Sequence, residues 1–582
     1  MRKLFLIFLF FNQLYAELIL EITQGTDDPY RVAVLPFSGD TEMSEELESI
    51  IKNNLNRSGE FETFGEEELL SSPSSEEEIV FNDFKILNID YLVMGSIAGG
   101  DVIYNVFDIS KSSKIRTSTV FGIPNKNRQL AHYISDGIYE EITGLKGISS
   151  TRILYVTENE KFNLVVADAD GKNEQILLES NEPIISPVWS PDSKRVAYVS
   201  FETGMAKVFI QNIGTGEREV VIENSSQISS PAWSPDGKFL SLTLYQDGNA
   251  EIYILNLRNK NLTRLTNHYS IDTESSWSPR GSKIMFTSGR SGSPQLYEID
   301  LRRFNSKPKR ITFEGNYNAK GSYMPDNQGI VFVHRSESEF KIAMKYFDEN
   351  FIRPLTISQM DESPSISPNG NVIVYAIKDG NKGLLAGVTL SGAKFKLPAA
   401  NGAVREPAWS GYLRYLNGVF MRFLRSNFSF LVAILFLASC SSMNVTEETV
   451  NANNVKTVKA SQMMDENITY DSQAVFANAT IYFDFDKTNL TSKSLQTLKS
   501  VAEALNENSQ LRVTLAGHAD ERGTREYNLA LGQRRAEAVS QYLILNGVSK
   551  NRLVVKSFGE EKPIAFGQDE ESYSKNRRVE IN

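Results

Sequence analysis

The sequence contains few of the residues that build disulfides and metal sites, and its charge has the wrong sign for binding nucleic acid. Cys440 is the one cysteine among 582 residues, so no intrachain disulfide holds the fold together. The four histidines show no pair at metal-ligand spacing, and we expect neither a metal nor another cofactor. The net charge of −11 argues against a nucleic-acid-binding protein, whose contact surface would be basic.

The chain also lacks an uninterrupted apolar run of the roughly 20 residues that a helix needs to cross a bilayer. Its N terminus instead has the pattern of a secretory signal. Arg2 and Lys3 precede the apolar residues 4–11, and a small-residue cleavage site ends at Ala16. Residues 1–16 are therefore predicted to be a signal peptide, and the chain from residue 17 onward is predicted to be periplasmic.

A second segment with the same pattern lies in the middle of the chain. Arg422 and Arg425 precede the mostly apolar residues 428–438, and the segment ends in Leu-Ala-Ser-Cys at Cys440. This ending resembles the lipobox of bacterial lipoproteins, which implies a signal peptide at 421–439 and a lipid anchor on Cys440. Because such signals belong at the start of a chain, we expect two adjacent genes read as one, or release of Cys440 as a new N terminus. On an immunoblot with an antibody against the C terminus, a genuine fusion would give a band near full length.

Six related motifs recur between residues 180 and 410, most of them variants of Trp-Ser-Pro-Asp-Gly. Their first residues are spaced by 43 to 46 positions and are Trp189, Trp233, Trp277, Tyr323, Ile366 and Trp409. About 44 residues accommodate four short strands, which form one blade of a β-propeller. Six motifs predict a six-bladed propeller over residues 149–413. Since no strands follow the last motif, strands near residues 152–156 must complete the ring.

The repeats do not bring a recognisable catalytic motif with them. Similar blades occur in serine peptidases related to prolyl oligopeptidase, which add a hydrolase domain with a Gly-x-Ser-x-Gly nucleophile motif. No such pentapeptide is present, because Gly289-Arg-Ser-Gly-Ser293 fails at its last position. We therefore predict a protein that is not an enzyme. The alternative is a secreted cell-wall hydrolase or peptidase that uses a C-terminal module as a wall anchor.

The region before the propeller, residues 17–148, is predicted to be a small α/β domain. Its apolar patterns indicate strands at 32–37, 90–95 and 102–107 and helices at 44–54 and 129–139.

Several segments of this first part resemble the TolB family of the Tol–Pal envelope system. They are residues 32–37, 164–171, 186–192, 230–237 and 406–413. The resemblance covers roughly residues 17–413 and implies a non-catalytic periplasmic protein that binds Pal. It also implies that a flexible arm at the mature N terminus engages TolA, consisting of Glu17, Leu18, Ile19, Leu20, Glu21 and Ile22. Without the resemblance, an edge strand would be an equal alternative for this arm.

After Cys440, a polar stretch to residue 478 is predicted to be a flexible tether. The residues from 479 onward are predicted to form an α/β sandwich with a βαβαβ order and a final edge strand. The predicted strands are 479–486, 511–515, 553–556 and 578–581, and the predicted helices are 491–506 and 525–545. The segments 517–524, 527–531, 534–539 and 573–579 resemble the OmpA-like domain, and the first of them resembles Pal more narrowly. The resemblance implies binding to peptidoglycan.

The binding site can be argued from the chemistry of the ligand. Diaminopimelate in a peptidoglycan stem peptide carries a carboxylate and an ammonium on one carbon, so its site needs an anion and a planar cation. Asp520 supplies the anion. The helical positions direct Arg534 into solvent and place Arg535 at the rim of the buried face, so we choose Arg535 as the cation. Asp486 and Arg578 are second-rank candidates from the family pattern, and the alternative is that Asp520 and Arg535 merely pair with each other.

Together the two resemblances imply a non-catalytic system that ties the outer membrane to peptidoglycan through a lipid anchor on the Pal-like part. The TolB-like part would bind the Pal-like part and compete with its attachment to the wall. Coupling of this kind is a difference in binding free energy between mutually exclusive partners, and it needs no active site.

Overall fold

The structure is a computed structural model that describes residues 28–122, 126–222, 227–246, 248–303, 305–336, 339–356, 361–379, 382–398, 402–413, 455–460 and 479–582. The predicted signal peptides at 1–16 and 421–439, the arm from Glu17 to Ile22 and the lipidation site Cys440 lie outside these residues. No helix in the described ranges has both the length and the apolar character that a membrane crossing requires.

The N-terminal domain is a five-stranded mixed sheet covered by helices. Its strands run in the order β2-β1-β3-β4-β5, with β1 parallel to both of its neighbours. The strands are β1 (Tyr30–Val34), β2 (Phe61–Phe64), β3 (Tyr91–Ala98), β4 (Asp101–Asp108) and β5 (Ser113–Val120), and the helices are α1 (Thr41–Arg57), α2 (Phe81–Ile86) and α3 (Asn127–Thr143). The side chain of Asp40 accepts a hydrogen bond from the Met43 amide and so caps α1. The five predicted elements are present, and β2, α2 and β5 are additional.

Six sheets of four propeller strands each follow, which confirms the predicted propeller. One blade consists of β6 (Arg152–Glu158), β7 (Phe162–Asp168), β8 (Gln175–Ser180) and β29 (Ala403–Trp409). The next two are β9 (Ile184–Trp189), β10 (Arg195–Ser200), β11 (Lys207–Asn212) and β12 (Arg218–Val220), and β13 (Ile228–Trp233), β14 (Phe239–Gln246), β15 (Asn249–Asn256) and β16 (Leu262–Arg264).

The other three blades have the same order of strands. They are β17 (Asp272–Trp277), β18 (Lys283–Ser288), β19 (Gln295–Asp300) and β20 (Lys309–Arg310); β21 (Tyr317–Tyr323), β22 (Gly329–Ser336), β23 (Glu339–Tyr346) and β24 (Arg353–Pro354); and β25 (Asp361–Ile366), β26 (Val372–Asp379), β27 (Lys382–Thr389) and β28 (Lys394–Lys396). The last propeller strand, β29, pairs antiparallel with the first, β6, and this pairing closes the ring as the sequence predicted.

Two of the four repeated tryptophans join neighbouring blades. The indole nitrogen of Trp189 donates to the Ala408 carbonyl at 3.1 Å, and that of Trp277 donates to the Ala232 carbonyl at 3.2 Å. Each of these bonds runs from the innermost strand of one blade to the innermost strand of the blade before it. These two tryptophans therefore stabilise the propeller, because each indole N–H has a hydrogen-bond acceptor on the neighbouring blade and each indole packs between two sheets.

Ion pairs hold the N-terminal domain against the propeller. His132, Asp168 and Asp170 lie with potential ligand atoms within 4.8 Å of one another. Arg128 of α3 pairs with Asp170 and approaches Asp168 at 3.5 Å, so the carboxylates of this cluster face a guanidinium. The arrangement is that of a charge-paired contact between α3 and the loop after β7.

The C-terminal domain is a four-stranded sheet with two long helices and one short helix. Its strands run in the order β31-β34-β32-β33. They are β31 (Thr480–Tyr482), β32 (Val513–His518), β33 (Leu553–Gly559) and β34 (Arg578–Ile581), and the helices are α4 (Ser492–Glu507), α5 (Arg525–Leu545) and α6 (Glu570–Asn576). One further strand, β30 (Val458–Lys459), lies in the predicted tether.

Two sequence predictions for this domain are wrong in detail. The strand predicted at 479–486 ends at Tyr482, because the chain turns and Asp486 adopts a left-handed conformation with φ of 54°. The last strand, β34, is not at the edge of the sheet, since β31 pairs with it on one side and β32 on the other.

Candidate functional site

Asp520 lies in the loop between β32 and α5, with 3% of its surface exposed. Its carboxylate accepts hydrogen bonds from Arg522 at 2.7 Å and from Arg577 at 2.9 Å. The Arg522 amide also donates to it at 3.1 Å. The predicted anion is therefore held between two guanidinium groups, in a geometry that fixes the direction of its oxygens.

Arg535 is more deeply buried than the prediction of a rim position allowed, with 0% of its surface exposed. Its guanidinium donates to the carbonyls of Lys487, His518 and Asp484 at 3.0, 2.9 and 3.0 Å. Burial lowers the pKa of Arg535 to about 10. These three bonds use the loops after β31 and β32 as acceptors, so Arg535 ties those loops to α5. The hydrogen bonds of the Asp520 carboxylate thus come from other arginines, and the alternative of a simple Asp520–Arg535 pair is not what the structure contains.

The two second-rank candidates lie in different places. Asp486 faces this cluster: Tyr527 donates to its carboxylate at 3.2 Å, and burial raises the pKa of Asp486. Arg578 points away, since its guanidinium donates to Glu580 at 2.7 Å and to the Lys562 carbonyl at 3.2 Å. Arg577 instead contacts Asp520. Successive side chains on an extended chain point to opposite sides. Which of the two neighbouring arginines faces Asp520 therefore depends on the register of β34, which the sequence alone does not give.

Residues that the sequence analysis missed complete the cluster. The Arg522 guanidinium lies 4.1 Å from the ring centroid of Phe485 and 4.4 Å from that of Tyr573. The Asp-Glu-Arg string could have indicated Arg522, because a side chain two residues beyond an aspartate in a turn reaches the same carboxylate. Nearby, His518 stacks on Phe558 at 5.6 Å, and burial lowers the pKa of His518 to about 3. It packs as a neutral ring.

The cavity at Asp520 has a volume of about 140 Å³, and the propeller supplies part of its wall. Residues from the C-terminal domain line one side, among them Asp486, Asp520 and Arg577. Tyr317 and Arg335 of the propeller line the other side. The hydroxyl of Tyr317 accepts a hydrogen bond from the Thr524 amide at 2.9 Å. The candidate site is therefore inside the contact between the two domains.

The propeller side of this contact is built on a ring of six residues. Each lies on the innermost strand of its blade, three residues before the repeated motif, and each has a φ between 50° and 55°. The residues are Ser186, Ser230, Glu274, Lys320, Ser363 and Glu406. A residue in the left-handed conformation within a strand is typical of a β-bulge. Each of the six sheets has such a register shift near this residue, for example between Thr273 and Ser276. The bulges bring the six side chains together at one end of the ring.

Glu526, in the first turn of α5, fills the centre of this ring. Its carboxylate lies 2.7 Å from the Lys320 ammonium and accepts a hydrogen bond from the Ser186 hydroxyl at 3.0 Å. Lys320 also pairs with Glu406 at 3.0 Å. Burial alone would lower the pKa of Lys320, but the carboxylates of Glu526 and Glu406 outweigh it and raise that pKa. Burial raises the pKa of Glu406 and of Glu274.

The rest of the contact combines apolar packing with paired polar groups. Phe558 stacks on Phe201 of the propeller at 6.1 Å, within a core cluster that includes residues of both domains. The side-chain amide of Gln227 donates to the Ser557 carbonyl at 2.8 Å and accepts from its amide at 2.9 Å. Gln227 and the Ser557 main chain thus satisfy each other's polar groups across the contact, as a stable interface requires.

Comparison with known proteins matches each part of the chain to a family model. Residues 18–115 match the TolB amino-terminal domain, residues 139–413 match the TolB beta propeller domain, and residues 482–577 match the OmpA family. A Tol-Pal system protein TolB from Pseudomonas aeruginosa is 48% identical over 409 residues, which are 68% of this chain and 94% of that protein. The crystal structure of TolB from Acinetobacter baumannii is similar with a TM-score of 0.63 and 38% identity, over 68% of this chain and 100% of that one.

A third similarity concerns the C-terminal domain. The peptidoglycan-associated lipoprotein from Burkholderia pseudomallei is 42% identical over 19% of this chain and 94% of that one, with a TM-score of 0.18. These comparisons give the hydrolase alternative no support. The chain belongs to the TolB family and continues, in the same polypeptide, into a domain that matches the OmpA family.

Proposed function

We propose that the protein is a non-catalytic component of the Tol–Pal envelope system in which the C-terminal domain alternates between two partners. In one state it is docked on the propeller. In the other state it is released and binds peptidoglycan through the Asp520 cavity. Because one surface serves both partners, the free energy of docking subtracts from the free energy available for wall binding.

The observation that carries this proposal is the position of the Asp520 cavity inside the contact with the propeller. A cavity of about 140 Å³ is smaller than typical small-molecule sites, which have volumes of roughly 300 Å³ or more. A stem peptide could enter only after Tyr317 and Arg335 of the propeller move away. Asp520, Arg535 and Asp486 then form the proposed peptidoglycan site, and Arg577 takes the place given to Arg578.

The place of the protein in the envelope follows from the same proposal. The family similarity supports a periplasmic protein that works in maintaining the outer membrane and its constriction at division. We also propose three specific partners. The arm Glu17–Ile22 would bind TolA, the cavity would bind the diaminopimelate stem peptide, and a lipid on Cys440 would anchor the protein in the outer membrane.

Co-sedimentation of the full chain with purified sacculi tests this function. Glu526→Lys places a second cation beside Lys320 and should release the C-terminal domain from the propeller. The apparent association constant for sacculi should then rise about tenfold for each 1.4 kcal/mol of docking free energy lost. Glu503→Lys makes the same charge change on an exposed face of α4 and should leave binding unchanged.

Two outcomes would contradict the proposal. Equal binding by the Glu526→Lys variant and the unmodified chain would show that docking does not cover the wall-binding surface. Release of soluble muropeptides from the sacculi would show catalysis and restore the hydrolase alternative.

A further inference from the structure

The outermost strand of one blade is longer than the outermost strands of the other five. β8 has six residues, whereas β12, β16, β20, β24 and β28 have two or three. Short edge strands are a common protection against pairing with further chains, because they present few open backbone groups. β8 lacks this protection. It also exposes 39% of Ile176, a large apolar side chain at its start.

A segment of the predicted tether, residues 455–460, occupies this edge. Its strand β30 pairs parallel with β8, with Val458 opposite Leu178 and Lys459 opposite Glu179. The Ala460 amide donates to the Glu179 carbonyl at 2.9 Å, and the Thr457 hydroxyl donates to the Ile176 carbonyl at 2.7 Å. Among the described sheets of the propeller, this blade alone has a fifth strand.

The segment also contacts the next blade and a hydrophobic cluster. The Lys456 amide donates at 3.1 Å to the carbonyl of Ile213, which follows β11. Val455, Val458 and Ala460 pack against a cluster of buried residues from the two adjoining blades. Lys456, Thr457 and Lys459 are exposed. The segment thus presents apolar side chains to the propeller and polar ones to solvent, the pattern of an added edge strand.

We propose that the open edge of β8 is a second recognition site for the Pal-like part, specific for the extended segment at 455–460 and separate from the surface that holds the C-terminal domain. The main-chain hydrogen bonds contribute affinity, and the apolar contacts of Val455, Val458 and Ala460 determine the register of the pairing with β8. The site would act equally on the same segment presented by a separate chain that begins at Cys440.

Two sites on one chain have a consequence for release. While residues 455–460 stay on β8, a C-terminal domain that leaves the ring remains covalently connected through residues 461–478. It returns at a high effective concentration, which is on the order of millimolar for short connections. The strand pairing itself stands independently of the proposed function, and only this consequence rests on it.

Hydrogen exchange of the full chain, resolved to peptides, tests the site. In the peptide that covers residues 455–460, the amides that donate to the propeller, such as those of Lys456 and Ala460, should exchange at least about tenfold more slowly than in an unstructured peptide. Ala460→Pro removes the donor to Glu179 and should abolish this protection. Lys459→Pro is the matched control, because alternate amides of a strand face opposite ways and Pro is tolerated where the N–H faces solvent. Protection should survive in that variant.

A synthetic peptide of residues 452–463 extends the test to a separate molecule. It should bind to the full chain carrying Ala460→Pro, whose β8 edge is open, and should slow exchange in β8. The same peptide with Ala460→Pro should not. Exchange of residues 455–460 at the unstructured rate, with the first turn of α5 still protected, would overturn this inference alone. Protected 455–460 with an unprotected first turn of α5 would instead overturn the proposed function alone.

Discussion

Asp520 combines deep burial with a net charge, and its two arginine partners make that combination stable. A carboxylate at 3% exposure would be costly by itself, but Arg522 and Arg577 pair with it. The same arrangement orients its oxygens for a ligand. Replacing Asp520 by alanine would leave the buried Arg577 and the half-buried Arg522 with fewer hydrogen-bond partners. Replacement by asparagine should therefore preserve the fold better.

Asp520→Asn should weaken wall binding without changing the shape of the cavity. We expect the released protein, carrying Glu526→Lys, to lose about 1.5–3 kcal/mol of binding, the range for hydrogen bonds to a charged group. Co-sedimentation with sacculi measures the loss, with Glu503→Gln in the same background as the control. Unchanged binding would mean that Asp520 does not contact the ligand.

At the scale of single elements, the sequence predicted most of the fold and part of the site. The helix α5 was predicted with its observed bounds, because Ala536, Val539 and Leu543 are buried at helical spacing, but the burial of all of its first nine residues against the propeller was not predicted. The strand at 479–486 was overextended, because alternation alone cannot reveal that Asp486 turns into a left-handed conformation. The ring of six residues was missed. Polar residues such as Glu274 and Lys320 acquire a role only when six blades bring them together, and no local pattern records that.

Lys320→Met should undock the C-terminal domain by leaving Glu526 and Glu406 without their shared cation. Removing one partner of a buried pair costs about 3–5 kcal/mol, so the docked population should fall by at least two orders of magnitude. Hydrogen exchange in the first turn of α5 measures this. Lys341→Met is the control, because it removes a half-buried lysine of β23 that pairs with Glu339 of the same strand, and it should leave exchange unchanged.

Docking of the Lys320→Met variant should also depend on pH, and the direction of the change follows from the pKa of Glu406. Burial raises the pKa of Glu406, so the docked state binds more protons than the released state. Docking of the Lys320→Met protein should therefore be strongest below the ordinary carboxyl pKa and should weaken as pH rises through the raised value. Docking that strengthened with rising pH would contradict the assignment of these carboxylates to the contact.

At the scale of the whole molecule, the propeller has two contacts with the second half of the chain. One is the ring that holds Glu526 and closes the Asp520 cavity, and the other is the β8 edge that holds residues 455–460. The central claim is that docking at the ring and binding of peptidoglycan exclude each other. Several contacts support the docked state, since Phe558, Gln227 and Tyr317 contribute to it in addition to the ring.

The most direct measurement is hydrogen exchange of the unmodified full chain, with and without a soluble muropeptide that contains diaminopimelate. We predict that saturating muropeptide speeds exchange at the first turn of α5, at residues 557–559 at the end of β33 and around Tyr317 at the start of β21. The other strands of both domains should remain protected. Muropeptide that binds with these segments still protected would show that the docked and wall-bound states coexist, and would contradict the account.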